Sequence, residues 1–74
     1  MENRKLKGKL RELGKTYQEA SEMLDISLVS FNSKINGNNQ FTILEAEKLC
    51  NWLGLNEKER VEIFLPLNFR VNKD

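Results

Sequence analysis

Three times along this sequence a small hydrogen-bonding residue stands three places before a glutamate: Thr16 with Glu19, Thr42 with Glu45, and Asn56 with Glu59. This is the spacing of a capping box. The cap side chain accepts from the backbone amide three residues on, and the glutamate reaches back to the cap's own amide. Each signal therefore starts a helix at a defined residue. The stops are equally marked. Gly14, Gly37 and Gly54 fall where the apolar periodicity lapses, as glycines just past a helix do. Pro66 cannot continue a helix that reaches it. A polypeptide punctuated this often can form only short helices, and no stretch shows the sustained two-residue alternation of a sheet.

The spacing predicts five helices in an all-α fold. Leu6, Leu10 and Leu13 share one face of a first helix over about residues 3–13, in which Gly8 costs about 1 kcal/mol relative to alanine. The second opens at Thr16, turns Ala20, Met23 and Leu24 inward, and stops near Leu24 or Asp25. Ser27 caps the third, which runs to about Asn36 with Phe31 and Ile35 as its buried stripe. The fourth follows Thr42 and buries Ala46, Leu49, Cys50 and Leu53. The fifth follows Asn56 through Val61, Ile63, Phe64 and Leu65. Leu67, Phe69 and Val71 then alternate along the tail. That pattern suits a short strand, and a lone strand needs a partner, such as a second copy of the tail.

With 74 residues the protein is expected to form one domain, with its core over about residues 4–65 and a tail over 66–74. Its 39% hydrophobic and 31% charged residues are those of a globular protein. One cysteine allows no internal disulfide, which fits a reducing cytosol. Without histidine, and with that single cysteine, a metal site or acid–base catalysis at neutral pH lacks its usual agents, and no phosphate-cradling glycine loop is present. We expect neither an enzyme nor a cofactor. No apolar run is long enough to cross a bilayer, and the charged N-terminus is no signal peptide. The first helix is amphipathic and basic, but its apolar stripe carries no aromatic residue, so a membrane partner is not expected.

Net charge is only +1, yet it is unevenly spread. Residues 1–15 hold Arg4, Lys5, Lys7, Lys9, Arg11 and Lys15 against Glu2 and Glu12. Residues 16–47 hold Lys34 alone against Glu19, Glu22, Asp25, Glu45 and Glu47. The basic end could face phosphates, or simply be a solvated helix face.

Asp25, Ile26 and Ser27 are all that separates the second and third helices, and so tight a link makes them cross steeply, with apolar Ile26 plugging the gap. This is the layout of a helix-turn-helix, whose second helix lies in the major groove of DNA. The string TYQEASEMLDISLVSFNSKINGNNQFT, with Gln18, Glu19, Leu24, Ile26, Ser27, Phe31, Asn36, Gly37 and Thr42 at matching places, resembles the lambda-repressor-like (Cro and cI) helix-turn-helix family of phage and bacterial regulators. The likeness covers about residues 4–65, and it extends in particular to small phage-type members with an SFxxKxNG element followed by FT. It implies a compact five-helix domain that binds operator DNA as a dimer in the cytoplasm of a bacterial or phage-infected cell, with no small-molecule ligand. Three positions depart from the family pattern. Ser21 replaces a small alanine and fits if its hydroxyl bonds back to a helix carbonyl. Asp25 replaces a left-handed glycine. Tyr17 replaces a phosphate-holding glutamine, and its hydroxyl can do the same work.

On this reading Ser27, Leu28, Val29, Asn32, Ser33 and Asn36 face the bases. Asn32 can pair with adenine N6 and N7, and Leu28 and Val29 can lie against thymine methyl groups. Thr16, Tyr17 and Gln18 would hold phosphates at the start of the second helix, and Lys34, Asn38 and Asn39 would do so beyond the third. Lys5, Lys9 and Arg11 would add long-range attraction. Phe64, Leu65, Leu67, Phe69 and Val71 are the expected dimer surface. A rival reading stays open: capping alone explains Thr16 and Ser27, and an exposed Leu28–Val29 pair could bind another regulator protein. The third helix offers no arginine for the commonest guanine contact, so selection from a random DNA pool is expected to return A/T-leaning half-sites. A G-rich consensus would contradict the assignment.

Overall fold

Each of the three capping boxes closes in the computed structural model, which describes residues 2–64. Thr16 Oγ1 accepts from the Glu19 amide at 3.0 Å, while Glu19 Oε1 accepts from the Thr16 amide at 2.8 Å. Thr42 with Glu45 and Asn56 with Glu59 repeat the exchange. The helices that follow are α2 (Tyr17–Leu24), α4 (Ile43–Leu53) and α5 (Glu57–Phe64). Asn3 caps α1 (Arg4–Glu12), and Ser27 caps α3 (Leu28–Ile35) through a 3.0 Å bond from the Ser30 amide. Gly14, Gly37 and Gly54 each take positive φ just beyond a helix. The described residues thus form five helices and no strand. The strand expected around Leu67, Phe69 and Val71 lies outside them.

The helices close around a line of rings. Phe31, wholly buried on α3, lies 5.5 Å from Tyr17 on α2 and 5.7 Å from Phe41 in the loop before α4. Phe41 in turn meets Phe64 of α5 edge-on at 6.2 Å. Leu6, Leu10, Ile35 and Leu49 fill the remaining centre. α2 packs chiefly on α3 and also on α4, and α1 packs on α5. Ser21 is fully enclosed where α2 meets its neighbours, and its hydroxyl donates to the Gln18 carbonyl at 2.8 Å. The serine therefore fits an alanine-sized space without leaving a buried donor unpaired.

Two expectations need correction. Phe64 is a core residue, 4% exposed and set edge-on against Phe41, so it cannot serve as dimer surface without leaving the core. The rest of that proposed surface, Leu65, Leu67, Phe69 and Val71, lies outside the described residues. Leu13 does not extend the buried stripe of α1: the helix ends at Glu12, and Leu13 becomes its half-exposed cap.

Asn3 was not singled out from the sequence, and it ties the fold's ends together. Its Oδ1 caps α1 at the Leu6 amide, its Nδ2 donates to the Ile63 carbonyl at 3.0 Å, and its amide donates to the Ile35 carbonyl at 2.9 Å. One buried side chain thus joins α1 to α5, while its backbone holds the end of α3.

Between α2 and α3, Asp25 adopts the left-handed conformation, φ 60° and ψ 41°, the sole described non-glycine residue at positive φ. An L-residue is strained there, aspartate less than most. Its carboxylate also sits at the negative end of the α2 dipole, and the last turn of α2 carries no basic residue. Asp25→Gly removes both penalties at some cost in conformational entropy, and is expected to stabilise the fold by about 0.5–1 kcal/mol. Thermal unfolding should show a rise of a few degrees; a fall would mean that the Asp25 side chain makes the turn.

Candidate functional site

The rotation of α3 is fixed by two residues one turn apart. Phe31 and Ile35 are both completely buried. At 3.6 residues per turn, Val29, Asn32, Ser33 and Asn36 then point away from the core. Val29 is 78% exposed, an unusual state for a β-branched apolar side chain. Leu28 stands seven residues before Ile35, on nearly the same side of the helix, and is accordingly at the margin of the core with 39% exposure. Asn32 and Ser33 are half-buried and Asn36 is exposed. Of the residues expected to face bases, Val29, Asn32, Ser33 and Asn36 therefore share one outward stripe. Leu28 and the cap Ser27 lie at its upper edge.

The far end of this stripe is braced. Ser33 accepts from three groups of the following loop: its carbonyl from the amides of Asn38 at 2.9 Å and Asn39 at 3.2 Å, and its hydroxyl from Asn39 Nδ2 at 2.8 Å. Asn39 is thereby partly committed within the loop, while Asn36 and Asn38 remain exposed. At the start of α2, Thr16 is occupied as a cap and Gln18 donates to Glu22 at 2.9 Å. Tyr17 is half-buried with its ring against Phe31. It thus links the start of α2 to the residue that orients α3.

Charge is scarce on the outward stripe. Lys34, expected to hold phosphate, is instead locked to Glu45 across the α3–α4 junction, with Nζ 2.7 and 2.8 Å from the two carboxylate oxygens. Both side chains are largely enclosed. Lys34 follows Ser33 around the helix toward α4, and Glu45 is held there by its own capping bond to Thr42. Lys9 is committed in the same way, at 2.7 Å from Glu59 and 3.7 Å from Glu12. Arg4 and Lys7 both meet Glu2, and Lys15 lies 5.0 Å above the ring of Trp52. Among the described residues, Lys5 and Arg11 are the cations of α1 that make no ion pair. The sequence reading also missed a second exposed apolar pair at the start of α4, Ile43 and Leu44. They share an outward face with Glu47, Lys48 and Asn51.

Elsewhere the described residues offer little chemistry. Burial pushes the Cys50 thiol up, against the opposing charge of Arg60. No group of three or more acidic, cysteine or histidine residues among them could hold a metal ion. No described helix is long and apolar enough to cross a membrane. Compared with protein-family models, curated proteins and solved structures, the sequence and its fold match none.

The Lys34–Glu45 pair has a pH signature. Burial alone would raise the Glu45 pKa, but hydrogen bonds from Lys34 and from the Thr42 amide, with the lysine charge, hold it below the usual carboxylate range. A depressed folded-state pKa contributes stability above the unfolded value, and that contribution is lost as pH falls through the folded one. Stability is therefore expected to decline below about pH 4–5. Glu45→Gln keeps a capping side chain but loses the ion pair. Acid titrations of thermal stability should show a shallower decline for that variant, and identical profiles would remove the pair from the acid response.

Proposed function

We propose that this protein binds DNA sequence-specifically, with α2, the Asp25–Ser27 turn and α3 acting as a helix-turn-helix and α3 lying in the major groove. The observation that carries the reading is the outward stripe of α3. Two fully buried residues fix its direction, a three-residue turn sets it against α2, and its end is bonded to the following loop. Such a stripe presents hydrogen-bonding and apolar groups on a rigid element, as base reading requires. Asn32 suits adenine, and Val29 suits a thymine methyl, the apolar feature of the groove. Thr16, Tyr17 and Gln18 stand at the positive end of α2 and would contact phosphate. Lys34 takes no part in this scheme while it is paired with Glu45, so electrostatic attraction falls to Lys5, Arg11 and a second subunit. The proposed dimer rests on the apolar residues Leu65, Leu67, Phe69 and Val71, and sedimentation at micromolar concentration reads it directly.

A second reading has its own support. The stripe has one strongly exposed apolar residue and no free cation, which also suits a protein partner such as another regulator. Salt separates the two. Binding driven through phosphates weakens steeply as salt rises, whereas an apolar protein contact need not. Under the DNA reading, Val29→Ala and Asn32→Ala should each weaken binding to a selected duplex by about 1–3 kcal/mol while leaving the circular-dichroism spectrum unchanged. If folded variants bind that duplex as tightly as the parent, the stripe does not read bases.

A further inference from the structure

Asn36 is the one asparagine in the sequence followed by glycine. It is exposed at the end of α3, where the outward stripe gives way to the loop. Asn36 closes the helix in right-handed backbone, φ −85° and ψ −3°, and Gly37 follows at φ 89°. Without a Cβ on Gly37, nothing shields its nitrogen from the Asn36 amide carbon. In the folded protein that nitrogen is committed: its N–H donates to the Lys34 carbonyl at 3.2 Å. The next two amides are held by the Ser33 carbonyl, and the Asn39 side chain by the Ser33 hydroxyl.

We propose that Asn36 is a site of spontaneous deamidation gated by this braced turn. When the turn opens, the Gly37 nitrogen loses its proton and attacks Asn36 Cγ. A bond forms between that nitrogen and Cγ, the bond from Cγ to Nδ2 breaks, and ammonia leaves with the proton. Water then adds to one of the two carbonyls of the cyclic imide and opens it. The product is aspartate, or isoaspartate in which the backbone runs through the former side chain. No oxidant or other reagent is needed. Because ring closure requires the Gly37 hydrogen bond to break, the folded rate is the intrinsic rate multiplied by the fraction of time the turn is open.

The consequence of the modification, unlike the modification itself, rests on the DNA reading of α3. Deamidation places a carboxylate on a stripe whose nearest lysine, Lys34, is already neutralised by Glu45. The new charge faces phosphate with nothing to offset it. The isoaspartate form also lengthens the backbone where the loop is bonded to Ser33.

The test is to incubate the protein at mildly alkaline pH, folded and in urea, and to locate converted residues by peptide mass spectrometry. Asn36 should convert fastest in urea and much more slowly when folded. Ser33→Ala, which removes one brace, should raise the folded rate about fivefold, the change in open population that one lost hydrogen bond brings. Gly37→Ala, compared in urea where folding is not at issue, should slow conversion sharply. An Asn36 that stays an amide in urea, or that converts equally fast folded and unfolded, overturns the proposal. So does a Ser33→Ala rate equal to the parent's. In a parallel binding assay Asn36→Asp should bind a selected duplex more weakly than the parent. Equal binding overturns the consequence alone, and a parent that binds no duplex counts against the DNA reading and not against the chemistry.

Discussion

The fold hangs on the burial of Phe31. Its ring has no exposed surface and is held between Tyr17 and Phe41, which passes the contact on to Phe64. Burying such a side chain contributes about 1.5–3 kcal/mol, and each well-placed ring pair adds about 0.5–1.5 kcal/mol. For a protein this small that is a large share of the total stability. The same contact sets direction. Because Phe31 and Ile35 face inward, Val29, Asn32, Ser33 and Asn36 must face outward, and Tyr17 ties the start of α2 to that choice. Packing, rather than any property of the outward residues, decides which side chains the third helix offers.

The capping glutamates carry a second role. Glu45 begins α4 and also holds Lys34 of α3; Glu59 begins α5 and also holds Lys9 of α1. Each carboxylate thus fixes the start of one helix and the position of another. Among the described residues Glu19, at the start of α2, makes its capping bonds without such a tether. The arrangement strengthens the fold at the expense of free positive charge. It removes two of the lysines that a phosphate-binding surface would use, and leaves the outward stripe of α3 nearly neutral.

This division explains what could be read from the sequence. Helix starts and stops are local: Thr16, Thr42 and Asn56 with their glutamates, and the three glycines, act within a few residues, and all were legible. The buried stripes of α3 and α4 follow from periodicity alone, and Ser21 and Asp25 were recognised as positions needing a particular bond and a particular backbone. The rest depended on distant partners. Asn3 meets Ile63 sixty positions away, and nothing in its neighbourhood announces that. Lys34 carries a charge that looks available until α4 folds back to bring Glu45 against it. Phe64 looks like one more apolar residue of a sticky C-terminal stretch until Phe41 supplies its core contact. For the candidate site, the side-chain types on α3 were legible, but the absence of free charge beside them was not.

The most direct measurement is a backbone amide spectrum of the isotopically labelled protein, titrated with a short A/T-rich duplex at low salt. The DNA account predicts shifts concentrated at residues 16–18 and 27–36, with α1 and α5 little changed except near Lys5 and Arg11. Shifts confined to other surfaces, or none at duplex concentrations that saturate nonspecific binding, would contradict it.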